Sequence, residues 1–118
     1  MSILRNRVQL IGRLGKNPEI KTFENNKKLA NISLATSEVY TNEKGERVEK
    51  TEWHNAVAWG KTAEILEKFV TKGQEIALEG KLTSRSYEDK QGLKKYVTEV
   101  LISEVLLLGN VAKEKQPF

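Results

Sequence analysis

Two tryptophans stand six residues apart in Trp53-His54-Asn55-Ala56-Val57-Ala58-Trp59. The run holds neither Pro nor Gly and is bounded by Thr51 and Gly60, so it reads as a β-strand. Strand side chains alternate between faces, and a spacing of six puts both indoles on one face. A core fills such a row with aliphatic groups, whereas a base-stacking surface fills it with flat rings. The chain around it is basic, with a net charge of +4 and a pI near 9.3. Flat rings on a sheet in a basic protein point to single-stranded nucleic acid.

The other rings and the cations sharpen this reading. Of eight aromatic residues, Phe69 falls in a helical apolar stripe and is expected in the core. Phe23 carries no periodic signal, and Phe118 is the last residue of the sequence. Tyr40, Trp53, Trp59, Tyr87 and Tyr96 fall in strands or at the bases of hairpins. Any one such ring has an ordinary structural role open to it; several beside cations favour stacking. Base–aromatic stacking contributes roughly 1–3 kcal/mol per base and tolerates any sequence. Residues 1–30 carry seven Lys/Arg, among them Arg5 and Arg13, against Glu19 and Glu24, a net of +5. Residues 81–95 carry Lys81, Arg85, Lys90, Lys94 and Lys95 against Glu88 and Asp89, a net of +3. Such clustering favours a polyanionic partner.

Period and punctuation place these residues on elements. Arg7 to Leu14 alternates, with Gly12 in the row and Gly15 at its end, as in a sharply bent strand. Leu29 to Thr36 is a second strand, with Ala30, Ile32, Leu34 and Thr36 on one side. Thr41 to Lys50 is polar around Lys44-Gly45 and is expected to be a projecting hairpin tip. Thr51 to Trp59 is the third strand. The period then changes to helical over Lys61 to Val70 and stops at Gly73. A fourth strand carries Ile76, Leu78 and Leu82 with Gly80 in its row. After a polar turn at Lys90-Gln91-Gly92, a fifth runs from Tyr96 to Leu107. This order predicts an all-β protein with an OB-fold, a five-stranded Greek-key barrel with one helix between strands 3 and 4. Residues 1–109 form the expected domain and 110–118 a short tail; no internal repeat is evident.

Composition bounds the alternatives. At 118 residues, with 38% hydrophobic and 31% charged, the chain has room for one domain and one modest core. It contains no Cys and one His, which excludes disulfides and thiolate chemistry. No stretch approaches the roughly 20 apolar residues of a membrane span, and the amino end lacks a signal-peptide core. The expected setting is soluble and cytoplasmic, associated with the nucleoid, without a membrane partner. No cofactor, metal site or catalytic residue is expected. Ser84 and Ser86 have no nucleophile partners, and the pair Glu88-Asp89 beside Lys90 is the composition of a solvated turn.

The residues also resemble a family, the bacterial single-stranded DNA-binding proteins. The resemblance is carried by Asn6-x-Val8-x-Leu10-x-Gly12-x-Leu14-Gly15-x-x-Pro18-Glu19 and by Ala30-Asn31-Ile32-Ser33-Leu34-Ala35-Thr36-Ser37-Glu38. Thr51-Glu52-Trp53-His54, Gly60-Lys61-x-Ala63-Glu64, Lys72-Gly73, Glu79-Gly80-Lys81-Leu82 and Thr98-Glu99-Val100 continue it in order. It implies a homotetramer of OB-folds around which single-stranded DNA wraps, serving replication, recombination and repair. Trp53 is similar to the family's stacking Trp; Tyr40, Trp59 and Tyr87 stand where other aromatics are usual. Lys61, Lys72 and Arg85 match phosphate-contacting positions, to which Arg5 and Arg13 are added by charge. His54 matches a position associated with the subunit interface, and Val8 and Leu10 are the strand residues expected beside it there. The family typically ends in an acidic tip closing with Pro-Phe, which recruits replication and repair proteins. This chain keeps Pro117-Phe118 after Lys113-Glu114-Lys115-Gln116, as in a short variant lacking the acidic tail, which puts such recruitment in question. An alternative reading is a primosomal-type accessory protein of the same fold, acting through protein contacts as a dimer. Fewer stacking aromatics are expected of that class. A cold-shock-type RNA-binding module would be shorter, with closely spaced aromatics on its early strands.

Overall fold

The alternating rows become the inner faces of a closed barrel. The computed structural model describes residues 4–109. Its elements are β1 (Val8–Leu14), β2 (Glu19–Thr22), β3 (Lys28–Thr41), β4 (Arg47–Trp59), α1 (Gly60–Phe69), β5 (Glu75–Glu88) and β6 (Lys94–Gly109). The strands are ordered β1-β5-β6-β4-β3-β2, and β1 also pairs with β3, which closes five strands into the barrel. Among the described residues only β4 and β6 run parallel, through Ala56↔Val100 and Val57↔Leu101. This is the OB-fold that the strand order predicted. The helix follows the strand holding both tryptophans, as expected. A short extra strand, β2, shifts its place in chain order to between β4 and β5. β2 pairs with β3 alone, and its four residues are exposed apart from a half-buried Ile20, too weak a pattern to read from sequence.

The core is made by Leu14, Ala30, Ile32, Leu34, Ala56, Ala58, Ile76, Leu78, Val100 and Ile102 from the strands. Ala63, Leu66 and Val70 close it from the helix side. Closure needs a close approach at Gly12, where an added Cβ would run into the carbonyl of Ala35 on β3. The helix ends at Phe69, and Val70 is its C-cap, donating its N–H to the Leu66 carbonyl at 3.2 Å. Phe69 is 57% exposed, against the expectation of a core role. At about 100° per residue, Ala63, Leu66 and Val70 share the buried face, and Phe69 lies about a quarter turn off it.

The segment Thr41 to Lys50, expected to be a hairpin tip, is half strand and half turn, since β3 and β4 pair continuously out to Thr41↔Arg47. Only residues 42–46 turn. Asn42 Oδ1 accepts the backbone N–H of Lys44 and of Glu46, both at 2.9 Å, and Gly45 takes φ 80°. Asp89 repeats this at the β5–β6 turn, accepting from Gln91 and Leu93 at 2.9 Å, with Gly92 at φ 79°. Outside the barrel wall, Arg7 and Gln9 both donate to Glu79 across β1 and β5, at 2.7 and 3.0 Å. These bonds hold the Glu79 carboxyl below its ordinary pKa. Lys28 meets Glu67 at 2.6 Å, tying the start of β3 to α1.

Candidate nucleic-acid interface

The β3–β4 register is unbroken from Leu29↔Trp59 to Ala35↔Trp53, so both indoles do face the same way. They are 60% and 42% exposed for Trp53 and Trp59 respectively. His54, Ala56 and Ala58 alternate to the other side, where the two alanines are buried. The rings are therefore outside the barrel and the alanines inside it.

Trp53 lies at one end of this outer face. Across the sheet it continues a row with Ala35 and Arg13, paired strand to strand. Arg13 donates to the Gly73 carbonyl at 2.9 Å, and the neighbouring Lys72 N–H donates to Asn17 Oδ1 at 2.7 Å. Arg13, Lys72 and Trp53 are thus gathered at one end of the barrel. Gly15 makes room for the ring, since an added Cβ would come within 2.5 Å of Trp53 Cζ3. The sequence marked Gly15 only as the end of a strand.

Trp59 borders a groove of about 900 Å³ at the other end. Leu29, Val57 and Leu101 give it apolar lining, and Arg85 and Glu99 lie with them. Arg85 Nε donates to Glu99 Oε1 at 2.9 Å. The Glu99 side chain is only 8% exposed, while that of Arg85 is 56% exposed, so the groove wall holds the near end of a guanidinium that remains open to solvent. Phe23 lines the same groove and stacks on Trp59, with centroids 5.7 Å apart and planes at 28°. Lys27 Nζ lies 5.5 Å from the Trp59 ring centre. Lys61, exposed, follows two residues after Trp59 at the start of α1. Phe23, Lys27 and Glu99 were not singled out from sequence, because what joins them to Trp59 and Arg85 is strand register rather than spacing.

The remaining expected residues divide. Tyr87 pairs with Lys95, on the side of the β5–β6 ribbon that carries Thr83 and Arg85. Tyr40 pairs with Val48 and falls on the side of the β3–β4 ribbon opposite Trp53. Both are 48% exposed. Arg5 is exposed in the turn before β1, which Asn6 pins to β5 through bonds to Leu82 N and O at 2.9 and 3.1 Å. Val8 and Leu10 do not form an outward row; both are half-buried and pack on the protein's own core. His54 is half-buried, 2.9 Å from the Thr36 hydroxyl. The outward row there is Ile11, Ala77 and Leu106, paired from strand to strand. Glu88-Asp89 builds the turn described above. Among the described residues no cluster of acidic or His side chains could hold a metal ion, and no helix is long and apolar enough to cross a membrane. The carboxyl-terminal residues 110–118, with Phe118, lie outside the described residues.

Comparison with known proteins places this geometry in a family. The Single-strand binding protein family matches residues 5–113. Single-stranded DNA-binding protein 1 of Chlorobaculum tepidum is 43% identical over 88% of this chain, which covers 65% of that protein. The single-stranded DNA-binding protein of Neisseria meningitidis serogroup A is 41% identical over 88% of this chain and 60% of its own length. The chain thus spans under two thirds of both. Among solved structures, a Plasmodium falciparum SSB complex with ssDNA superposes with a TM-score of 0.80 at 29% identity, over 92% of this chain and 98% of that one. A deletion mutant of the Thermus aquaticus single-stranded DNA binding protein gives 0.77 at 29%, over 91% and 52%. With the barrel, its outward indoles and this match over nearly the whole sequence, the chain belongs to the single-strand binding protein family.

Proposed function

We propose that the protein binds single-stranded DNA with little sequence preference, stacking bases on Trp53, Trp59, Tyr87 and Tyr40. Arg5, Arg13, Lys61, Lys72 and Arg85 neutralise phosphates along the path. The observation that carries this is the outer face of β4, where two exposed indoles replace the aliphatic residues that a buried face would hold. Stacking without base-edge contacts is sequence-tolerant, and phosphate pairing makes binding salt-dependent. It is a binding protein, not an enzyme. The reading implies work in replication, recombination and repair, in the cytoplasm. Self-association to a homotetramer belongs to it, through the outward Ile11–Ala77–Leu106 row rather than through Val8 and Leu10. With a protomer of 13.4 kDa, light scattering should give about 54 kDa; a dimer would favour the primosomal-type alternative. The deciding test is titration with oligo-dT at low and high salt, following tryptophan fluorescence. Quenching with poor competition from duplex of equal length is expected, and equal affinity for duplex would remove the stacking mechanism.

A further inference from the structure

We infer that Phe23 and Lys27, on the turn between β2 and β3, belong to the nucleic-acid surface, where Phe23 adds a second flat ring to the Trp59 platform and Lys27 a phosphate contact. The inference rests on the proposed single-strand binding and adds two residues to it.

The turn is built to present both side chains together. Phe23 N–H donates to the Lys27 carbonyl at 2.8 Å, and Asn26 N–H donates to the Phe23 carbonyl at 2.9 Å. Asn26 adopts φ 63°, a conformation in which Asn is tolerated better than most residues. The Lys27 N–H reaches Asn25 Oδ1 at 3.3 Å. Residues 23 and 27 are therefore held opposite each other, and both meet Trp59, more than thirty positions away in sequence.

Neither ring is consumed by the contact. Phe23 stays 43% exposed and Trp59 42% exposed, although they stack at 5.7 Å. Two offset rings, each half open, form a step on which flat bases can lie in succession. Arg85, in the same groove, is a cation for the backbone on the far side of that step. The ammonium of Lys27 at the indole serves the near side. An unstacked base with its phosphate is the ligand chemistry that fits flat apolar faces bracketed by cations.

The competing role for Phe23 is to buttress Trp59, and the two roles differ in what they need. A buttress needs apolar volume; a platform needs a flat face. Oligo-dT titration of the whole chain therefore compares Phe23→Leu with Phe23→Tyr, each first checked for a wild-type melting curve. Phe23→Leu should weaken binding by about fivefold or more, while Phe23→Tyr stays within about twofold of wild type. Lys27→Gln should lower the slope of log affinity against log salt by about 0.7. Equal binding by the Leu and Tyr variants overturns the platform, and an unchanged slope overturns the phosphate contact. If the wild-type chain itself shows no preference for oligo-dT over duplex, the proposed function fails and this inference with it. A wild-type preference for oligo-dT together with an unchanged oligo-dT affinity of Phe23→Leu removes the inference alone.

Discussion

The β3–β4 and β5–β6 hairpins are the same ribbon mounted in two ways. Residues 37–51 and 84–98 align at an offset of 47, with a few matching residues. A Ser–Thr pair stands at each root, Ser37 with Thr51 at 3.4 Å and Ser84 with Thr98 at 3.3 Å. Tyr40 and Tyr87 come three residues later, and Asn42 and Asp89 then organise equivalent turns that end on Gly45 and Gly92. No repeat is evident in the sequence because only these few positions agree. The mounting differs: Ser37 shares the side of Trp53, so Tyr40 falls on the opposite side. Ser84 takes the inner parity, beside Leu82 and Val100, so Tyr87 falls on the outer side with Arg85. Charge differs too. The first ribbon has Glu38, Glu43, Glu46 and Glu49 against Lys44, Arg47 and Lys50, a net of −1; the second has Arg85, Lys90, Lys94 and Lys95 against Glu88 and Asp89, a net of +2. One backbone device thus yields two surfaces, and the β5–β6 ribbon is the better suited to a polyanion.

The largest effect is expected at the barrel, where neither ribbon dominates. Trp53→Ala should cost roughly 1–3 kcal/mol of oligo-dT binding with folding preserved. Gly15→Ala should reproduce part of that loss by displacing the indole. If Trp53→Ala unfolds the protein while affinity per folded molecule is unchanged, the ring is structural.

The comparison itself is tested next by its tyrosines. Tyr87→Ala should weaken binding by about 1 kcal/mol or more, and Tyr40→Ala by clearly less, measured in the same titration. Equal losses would mean that the side of the ribbon a ring occupies does not set its contribution.

Charge gives a smaller and more graded difference. Lys94→Gln and Lys95→Gln should each lower the salt slope by up to about 0.7. Lys44→Gln, on the ribbon of net negative charge, should leave the slope nearly unchanged. The reverse ranking would assign the phosphate path to the first ribbon.

The smallest effect concerns the support beneath the second ribbon. Glu79 on β5 has its pKa lowered by hydrogen bonds from Gln9 and Arg7 and by the Arg7 charge. Its contribution to stability is present above the ordinary carboxylate value of 4.5 and is lost as pH falls through the lowered folded value. Between about pH 6 and about pH 3, the melting temperature of Glu79→Gln should therefore fall less than that of wild type. Parallel curves for the two proteins would show that the pair contributes nothing, as many exposed pairs do.

What the sequence determined here is whatever depends on local period. Strand side chains alternate by two and helical ones return after 3.6, so the shared face of Trp53 and Trp59, the alternating rows of β1, β3 and β5, and the single helix could all be read from spacing. The tripeptide Lys90-Gln91-Gly92 marked its turn by composition, polar residues ending on a glycine that takes a positive φ. Tertiary structure decided what depends on which strand lies beside which, and in what register. Spacing alone could not show that β2 forms, since its pairing partner is what makes it a strand. Nor could it orient Val8 and Leu10 to the core, because an alternating row does not say which side a closed barrel will enclose. Phe69 left the core because the helix docks on Ala63, Leu66 and Val70. Tyr40 lost the face of Trp53 and Tyr87 gained the face of Arg85 through strand parity counted from different roots. Phe23 reached Trp59, and Glu99 reached Arg85, because hydrogen-bonded registers bring distant residues side by side while leaving no periodic trace in the chain.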